Sequence, residues 1–90
     1  SNITIKAPYV NINNFILDGS GSGDATVTIT ANYIDIGDLN IHNHSSGATI
    51  TIKPYTSNKR LLFRANTIEE GSNSTLIFYS GNYYVNSSIT

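Results

Sequence analysis

The first half of this 90-residue chain contains the same sequence pattern twice. Residues 4–17 align with residues 28–41, and five of the fourteen aligned pairs are identical. A repeat of about 20–50 residues is typical of an array, in which each unit buries its apolar face against its neighbours. The repeat therefore predicts a stacked architecture, and it disfavours an enzyme because arrays usually supply surface rather than one pocket. The identical pairs are Thr4/Thr28, Ile5/Ile29, Ala7/Ala31, Tyr9/Tyr33 and Ile12/Ile36.

Within each unit, apolar and polar residues alternate with a period of two. Residues 3–7, 26–30 and 49–53 alternate isoleucine or valine with threonine or lysine, which indicates strands with one buried and one wet face. Two further short apolar stretches follow in each unit, and glycine-, serine- and asparagine-rich segments separate the units. We therefore expect three short strands and one polar corner per unit. The residues placed inside are Ile3, Ile5, Val27, Ile29, Ile50 and Ile52.

These patterns predict an all-β chain folded as a parallel β-solenoid (β-helix) of three to four coils, with a period of about 24 residues. One domain would span residues 1–90, with regular coils over 1–53 and irregular coils over 54–90. Residues 66–71 are expected in a loop. The alternative is a small antiparallel β-sandwich, which also has short strands between turn signals. The solenoid register predicts an interior ladder of Ile5, Ile29 and Ile52 and an aromatic ladder of Tyr9, Tyr33 and Tyr84, with Tyr55 a candidate to join it.

The composition suits a β-rich extracellular protein. Charged residues make up only 12% of the chain, which is about half the usual charged fraction of a soluble domain. The net charge is −1. Because there is no cysteine, neither a disulfide nor a thiolate metal site is available. No basic face exists to meet phosphates, so no nucleic-acid partner is expected. No segment has the apolar length of a transmembrane helix, so no membrane insertion is expected either.

The densest group of chemically versatile side chains comprises Asp35, Asp38, His42 and His44. The first two occupy positions that are asparagine one unit earlier, so the carboxylates exchange with amides, as expected of outward ladder positions. In the register of the repeat no arginine lies near them, and the two histidines fall in a polar corner that should be solvated. β-Helical lyases gather several carboxylates and a cation on one face, which six acidic residues do not support here. We therefore predict no catalytic residue, no cofactor and no metal site.

Three other features suggest surface roles. The basic cluster Lys59, Arg60 and Arg64 lies where the repeat breaks and is a candidate contact for an anionic glycan or a partner; the alternative is a solvated loop balanced by Glu69 and Glu70. Outward threonines recur in the repeat, a pattern used by some ice-binding solenoids, although threonine is also simply a favoured strand residue. Four Asn-x-Ser/Thr sequons are candidate glycosylation sites: Asn2, Asn43, Asn73 and Asn86.

Residues 4–12 and 28–36, together with the cysteine-free composition rich in asparagine, serine, threonine and glycine, resemble the coils of filamentous-haemagglutinin-type proteins. That family comprises large exported adhesins, often of the two-partner secretion type, built as right-handed parallel β-helices. The resemblance covers residues 3–53 and implies a non-enzymatic structural module at the cell surface or in an extracellular filament. Its partners would be the rest of a longer solenoid, further copies of itself, or a host or cell-surface glycan. The alternatives are a filament subunit that pairs its open strand edges, and a glycan-binding or ice-binding solenoid.

Overall fold

The computed structural model describes residues 2–19, 23–56, 61–79 and 83–89, the last of these ranges by its backbone alone. The described residues form eight β-strands. In chain order the strands are β1 (Asn2–Lys6), β2 (Tyr9–Gly19), β3 (Ala25–Ala31), β4 (Tyr33–Asn43), β5 (Ala48–Pro54), β6 (Leu61–Glu70), β7 (Ser74–Phe78) and β8 (Tyr83–Ile89).

The strands alternate between two four-stranded sheets. The first sheet has the order β1-β3-β5-β7 and the second the order β2-β4-β6-β8. All the strand pairs in both sheets are parallel. The prediction of an all-β chain with parallel sheets is confirmed, and the antiparallel sandwich does not describe these sheets.

The spacing between paired residues changes along the chain. Thr4 pairs with Thr28 and Tyr9 with Tyr33, which is the spacing of the sequence repeat. Tyr33 then pairs with Leu62, five positions later than the repeat predicts. The added residues precede β6, and β6 itself includes residues 66–70. The predicted loop there is therefore wrong, because an insertion before the strand displaces a pattern that otherwise continues.

Both sheets contribute to one apolar core. Inward isoleucine, valine, leucine and phenylalanine side chains from β3, β4, β5 and β6 are almost completely buried. Val27 is 0% exposed, whereas Ile3, its partner on β1, is 50% exposed. Ile3 was expected inside, and this prediction is wrong because β1 is an edge strand. Alternation alone selects a face, but burial also requires a neighbouring strand on each side.

Strand β4 contains a break in its alternation. Ile34 and Ile36 are buried, and the next buried side chain is Leu39, so the inward positions change parity at Gly37 and Asp38. A Cβ atom at position 37 would collide with the backbone oxygen of Asn13 on β2. The second and third short strands expected per unit thus form one continuous strand with a tight step at a glycine.

Among the residues that the structure describes, no helix has the length and apolar character required to cross a membrane.

Candidate functional site

The outer face of the second sheet brings charged side chains from different strands into contact. On this face Asp35 of β4 pairs with Arg64 of β6, and the Arg64 Nη1 and Asp35 Oδ2 atoms are 3.3 Å apart. The expectation that no arginine lies near Asp35 is wrong, because the five-residue insertion sets the register of β6. The arginine side chain is 51% exposed, so water screens the ion pair and limits its contribution to stability.

Asp38 of β4 has a neutral partner on β6. The hydroxyl of Thr67 donates a hydrogen bond of 2.7 Å to its Oδ1 atom. Asp35 therefore contacts β6 through an ion pair and Asp38 through a neutral hydrogen bond. Neither carboxylate belongs to the group of potential ligand atoms that contains the two histidines.

The histidines instead meet Asp18, at the end of β2. The paired residues Asp18 and His42 place Oδ1 and Nε2 3.1 Å apart. The ring of His44 lies edge-on to that of His42, with the centroids 5.1 Å apart. One potential ligand atom from each of the three side chains lies within 4.8 Å of the others. We refer to Asp18, His42 and His44 as the Asp–His–His cluster.

Neighbouring residues of β2 and β4 orient the cluster. The Nδ1 atom of His42 lies 3.1 Å from Oδ1 of Asn40, which precedes it by two residues on the same face of β4. The backbone N–H of His44 donates to the carbonyl of Gly19, at the end of β2. His42 is only partly exposed, whereas Asp18 and His44 are exposed. The central imidazole is thus held in place, and the flanking side chains are free to adjust.

Asn43, between the two histidines, points into the corner and is completely buried. Its Nδ2 donates to the carbonyls of Gly23 and Gly47, and its Oδ1 accepts the N–H groups of Ser45 and Ser46. Asn43 was a candidate glycosylation site, but in the folded chain this amide is buried and committed to hydrogen bonds. Its role in the structure is to close the corner after β4.

The remaining predicted surface residues are distributed as follows. Asn2 and Asn73 are exposed, and Asn73 has a positive φ of 50° while its Nδ2 donates to the carbonyl of Asn43. Lys59, Arg60 and the side chain of Asn86 lie outside the described residues. Of the proposed basic cluster, the structure therefore places Arg64 alone, against Asp35.

Of the two predicted ladders, the isoleucine ladder occupies consecutive register positions, whereas the tyrosine ladder is interrupted after Tyr33. Ile5 pairs with Ile29, which pairs with Ile52. The rings of Tyr9 and Tyr33 are stacked with centroids 4.8 Å apart and an interplanar angle of 5°. Leu62, rather than a tyrosine, is next in that row, and the backbone of Tyr84 pairs with it. Tyr55 does not enter the row, since its backbone N–H donates to the carbonyl of Ala31 in the first sheet.

The outer face of the first sheet is more uniform. One register row runs Asn2, Thr26, Thr49 and Thr75, and the adjacent row runs Thr4, Thr28, Thr51 and Ile77. Two neighbouring rows thus contain three threonines each, on adjacent parallel strands.

Sequence reasoning missed two members of the histidine site, Asp18 and Asn40. A signal for Asp18 was present, because the spacing that aligns Thr4 with Thr28 also aligns Asp18 with His42. Asn40 lies two residues before His42, which places both side chains on one face of a strand.

The chain matches no protein-family model, no curated protein and no solved structure.

Proposed function

We propose that the chain is a β-solenoid module of an exported cell-surface or extracellular filament protein and that it acts mechanically, through coils that stack edge to edge. In this proposal each coil contributes one strand to each sheet. The observation that carries it is the parallel pairing within each sheet, in which β1 pairs with β3 and β2 pairs with β4 at the same spacing of the sequence. Parallel rows built in this way can be extended by any further coil of the same kind.

The edge formed by β1 and β2 supports such stacking. Ile3 and Tyr9 are 50% and 58% exposed there, although their partners in the next strands are buried or half-buried. The partly buried core residues Ile5, Ile12 and Phe15 lie along the same edge. An incoming coil would cover these side chains and pair with the backbone of the edge strands. Edge strands with apolar side chains are templates for association.

The hydrogen-bonding direction of β1 identifies a residue for testing this edge. The N–H of Ala7 donates to the carbonyl of Thr30 in β3. Since alternate residues of a parallel strand bond to the same neighbour, the N–H of Ile5 also faces β3 and that of Thr4 faces the open side. Proline lacks an N–H and is tolerated on edge strands, so Thr4→Pro should block stacking without removing a bond to β3.

Sedimentation velocity over a range of concentrations, with negative-stain microscopy, tests the self-assembling form of this proposal. We expect the chain to form concentration-dependent, head-to-tail fibres, because a heterologous contact that does not close generates filaments. Thr4→Pro should abolish them, and the matched variant Thr4→Val, which keeps the N–H, should preserve them. A monomeric wild-type chain at high concentration would reject self-assembly.

Hydrogen exchange tests the stacking edge itself. In the assembled state the amide of Thr4 should become protected, whereas that of Ile5 should be protected in monomer and fibre alike. Fibres that leave the Thr4 amide as fast as in the monomer would show that a different surface assembles. Protection of Ile5 in the Thr4→Pro variant verifies that the variant is folded.

A second candidate function, ice binding, is favoured by the two threonine rows on the first sheet. Rows of threonine on a flat parallel sheet present hydroxyl and methyl groups at the regular strand spacing of about 4.8 Å. The measurement is thermal hysteresis of the wild type against Thr28→Lys with Thr49→Lys. Hysteresis that the double variant eliminates would support ice binding, and its absence in the wild type would reject it.

A further inference from the structure

The Asp–His–His cluster has the composition of a metal centre. The chain has two histidines and no cysteine, and the strand register brings both histidines to one carboxylate. Imidazole nitrogen and carboxylate oxygen are the ligands found with zinc and related divalent transition metals. We propose that Asp18, His42 and His44 bind one divalent transition-metal ion of the zinc class, across the ends of β2 and β4. This inference differs from the sequence prediction of no metal site and is independent of the proposed function.

The contacts of His42 provide the first argument. Its two ring nitrogens each lie 3.1 Å from an oxygen, Nδ1 from Asn40 and Nε2 from Asp18. A neutral imidazole has one N–H. With that hydrogen donated from Nδ1 to Asn40, the Nε2 lone pair faces the carboxylate of Asp18. A cation bonded to both Nε2 and Oδ1 removes the repulsion between them.

Asn40 also performs the task that a neighbour of a metal-binding histidine usually performs. Such histidines donate the other ring N–H to a carbonyl, carboxylate or water, which sets the tautomer and the ring orientation. The side-chain oxygen of Asn40 is in position to accept that bond. Nε2 is consequently the nitrogen available for coordination, and it is the one that faces Asp18.

A stable site also needs a third protein ligand close to these two atoms. His44 provides one. Its backbone N–H is bonded to the Gly19 carbonyl, and the preceding residue, Asn43, is buried in the corner after β4. The strand pairing and these backbone contacts therefore bring the three side chains together before any ion binds, and only side-chain rotations are left to the binding step. Preorganisation of this kind reduces the entropy that binding must overcome.

The dimensions of the cluster suit a small ion. Metal–ligand bonds of about 2.0–2.2 Å in a tetrahedron separate the ligand atoms by about 3.4 Å. The present separations reach at most 4.8 Å, so rotations of the exposed Asp18 and His44 side chains close the site. On the other side of His42 lies Gly71, where a Cβ atom would come within 2.8 Å of the His42 Cβ. The backbone at position 71 therefore packs closely against the base of the His42 side chain and restricts where that side chain can lie.

Metal titration of the tag-free chain tests the proposal. Co²⁺ reports coordination through its visible absorption, and Zn²⁺ is measured by calorimetry and by displacement of Co²⁺. We expect one ion per chain, and little binding of Mg²⁺ or Ca²⁺ because these ions prefer all-oxygen sites. Asp18→Asn, His42→Gln and His44→Gln should each weaken binding at least about tenfold, and Asn40→Ala should weaken it by about ten- to a hundredfold.

Asp38→Asn is the matched control, because it removes a carboxylate from the same outer face outside the cluster. It should bind both metals as the wild type does. Circular dichroism in EDTA checks that each variant is folded. We expect all of them to fold, because the substituted side chains are exposed or partly exposed. Failure of the wild type to bind one Zn²⁺ or Co²⁺ ion, or wild-type affinity in His42→Gln, would overturn the proposal.

Discussion

The two sheets share one core but differ on their outer faces. On the first sheet the threonines of β3 and β5 lie beside one another in rows, as Thr28 and Thr51 do. On the second sheet each row has its own chemistry, and Asp18 meets His42 while Asp35 meets Arg64. Parallel pairing and an apolar inner face are enough to hold a strand in place. The outer positions can then vary, and in the second sheet they vary towards specific side-chain pairs.

The largest effects should come from what the sheets share, the inner face. Ile29→Ala in the first sheet and Ile36→Ala in the second should each lower the free energy of unfolding by about 2–5 kcal/mol, because both side chains are fully packed. Urea unfolding measures both. The control Ile3→Ala, on the exposed edge, should cost about 1 kcal/mol or less, because half of that side chain already contacts water. Equal losses at Ile3 and Ile29 would show that the edge is buried in solution.

A substitution of intermediate effect should distinguish the backbone of the second sheet from that of the first. In β3 of the first sheet, inward and outward side chains alternate without a break, whereas in β4 the alternation changes parity at Gly37. Gly37→Ala should destabilise the chain by about 1–3 kcal/mol, because the new Cβ meets the backbone of β2 and the strands must separate locally. Thermal unfolding compares it with Gly47→Ala, whose Cβ would meet only a side-chain oxygen, that of Asp24, at 3.4 Å. A larger loss of stability in Gly47→Ala than in Gly37→Ala would contradict the close approach of Gly37 to the backbone of β2.

The smallest effect should come from the outer pairs. A double-mutant cycle on Asp35→Asn and Arg64→Gln should give a coupling energy of about 0–1 kcal/mol, decreasing as salt is added, because the arginine is half exposed. The same cycle on Thr28→Ala and Thr51→Ala should give a similar coupling that salt does not change. A salt-independent coupling for Asp35 and Arg64 would mean that the pair is not ionic in solution.

Much of the fold could be predicted because the alternation in each strand is a local property. The spacing of the sequence repeat places Ile5 beside Ile29 and Tyr9 beside Tyr33, and these residues are paired in the structure. The prediction failed where that spacing changes. Five added residues before β6 put Leu62 in the row of Tyr33 and Arg64 beside Asp35. A fixed period cannot anticipate an insertion, because corner residues carry no pairing signal of their own.

The candidate site was less predictable than the fold. The two histidines stand out in the sequence, but the carboxylate that meets them comes from the neighbouring strand β2, well before them in the chain. The motif at Asn43 has the form of an exposed sequon, yet its side chain closes a buried corner. Whether a polar corner residue points inward depends on unsatisfied carbonyls nearby, here those of Gly23 and Gly47.

Local sequence was sufficient to establish that this chain forms strands, which side chains of β3 and β5 face inward, and how the first two units pair. These properties follow from the two-residue period of a strand and from the repeat. The folded arrangement was needed to establish which side chains meet across the sheet: Asp18 with His42, Asp35 with Arg64, and Asn43 with its corner. Such contacts depend on loop lengths and strand register. The first two contacts join residues far apart in the chain, and the third depends on which carbonyls the folded corner leaves without a partner.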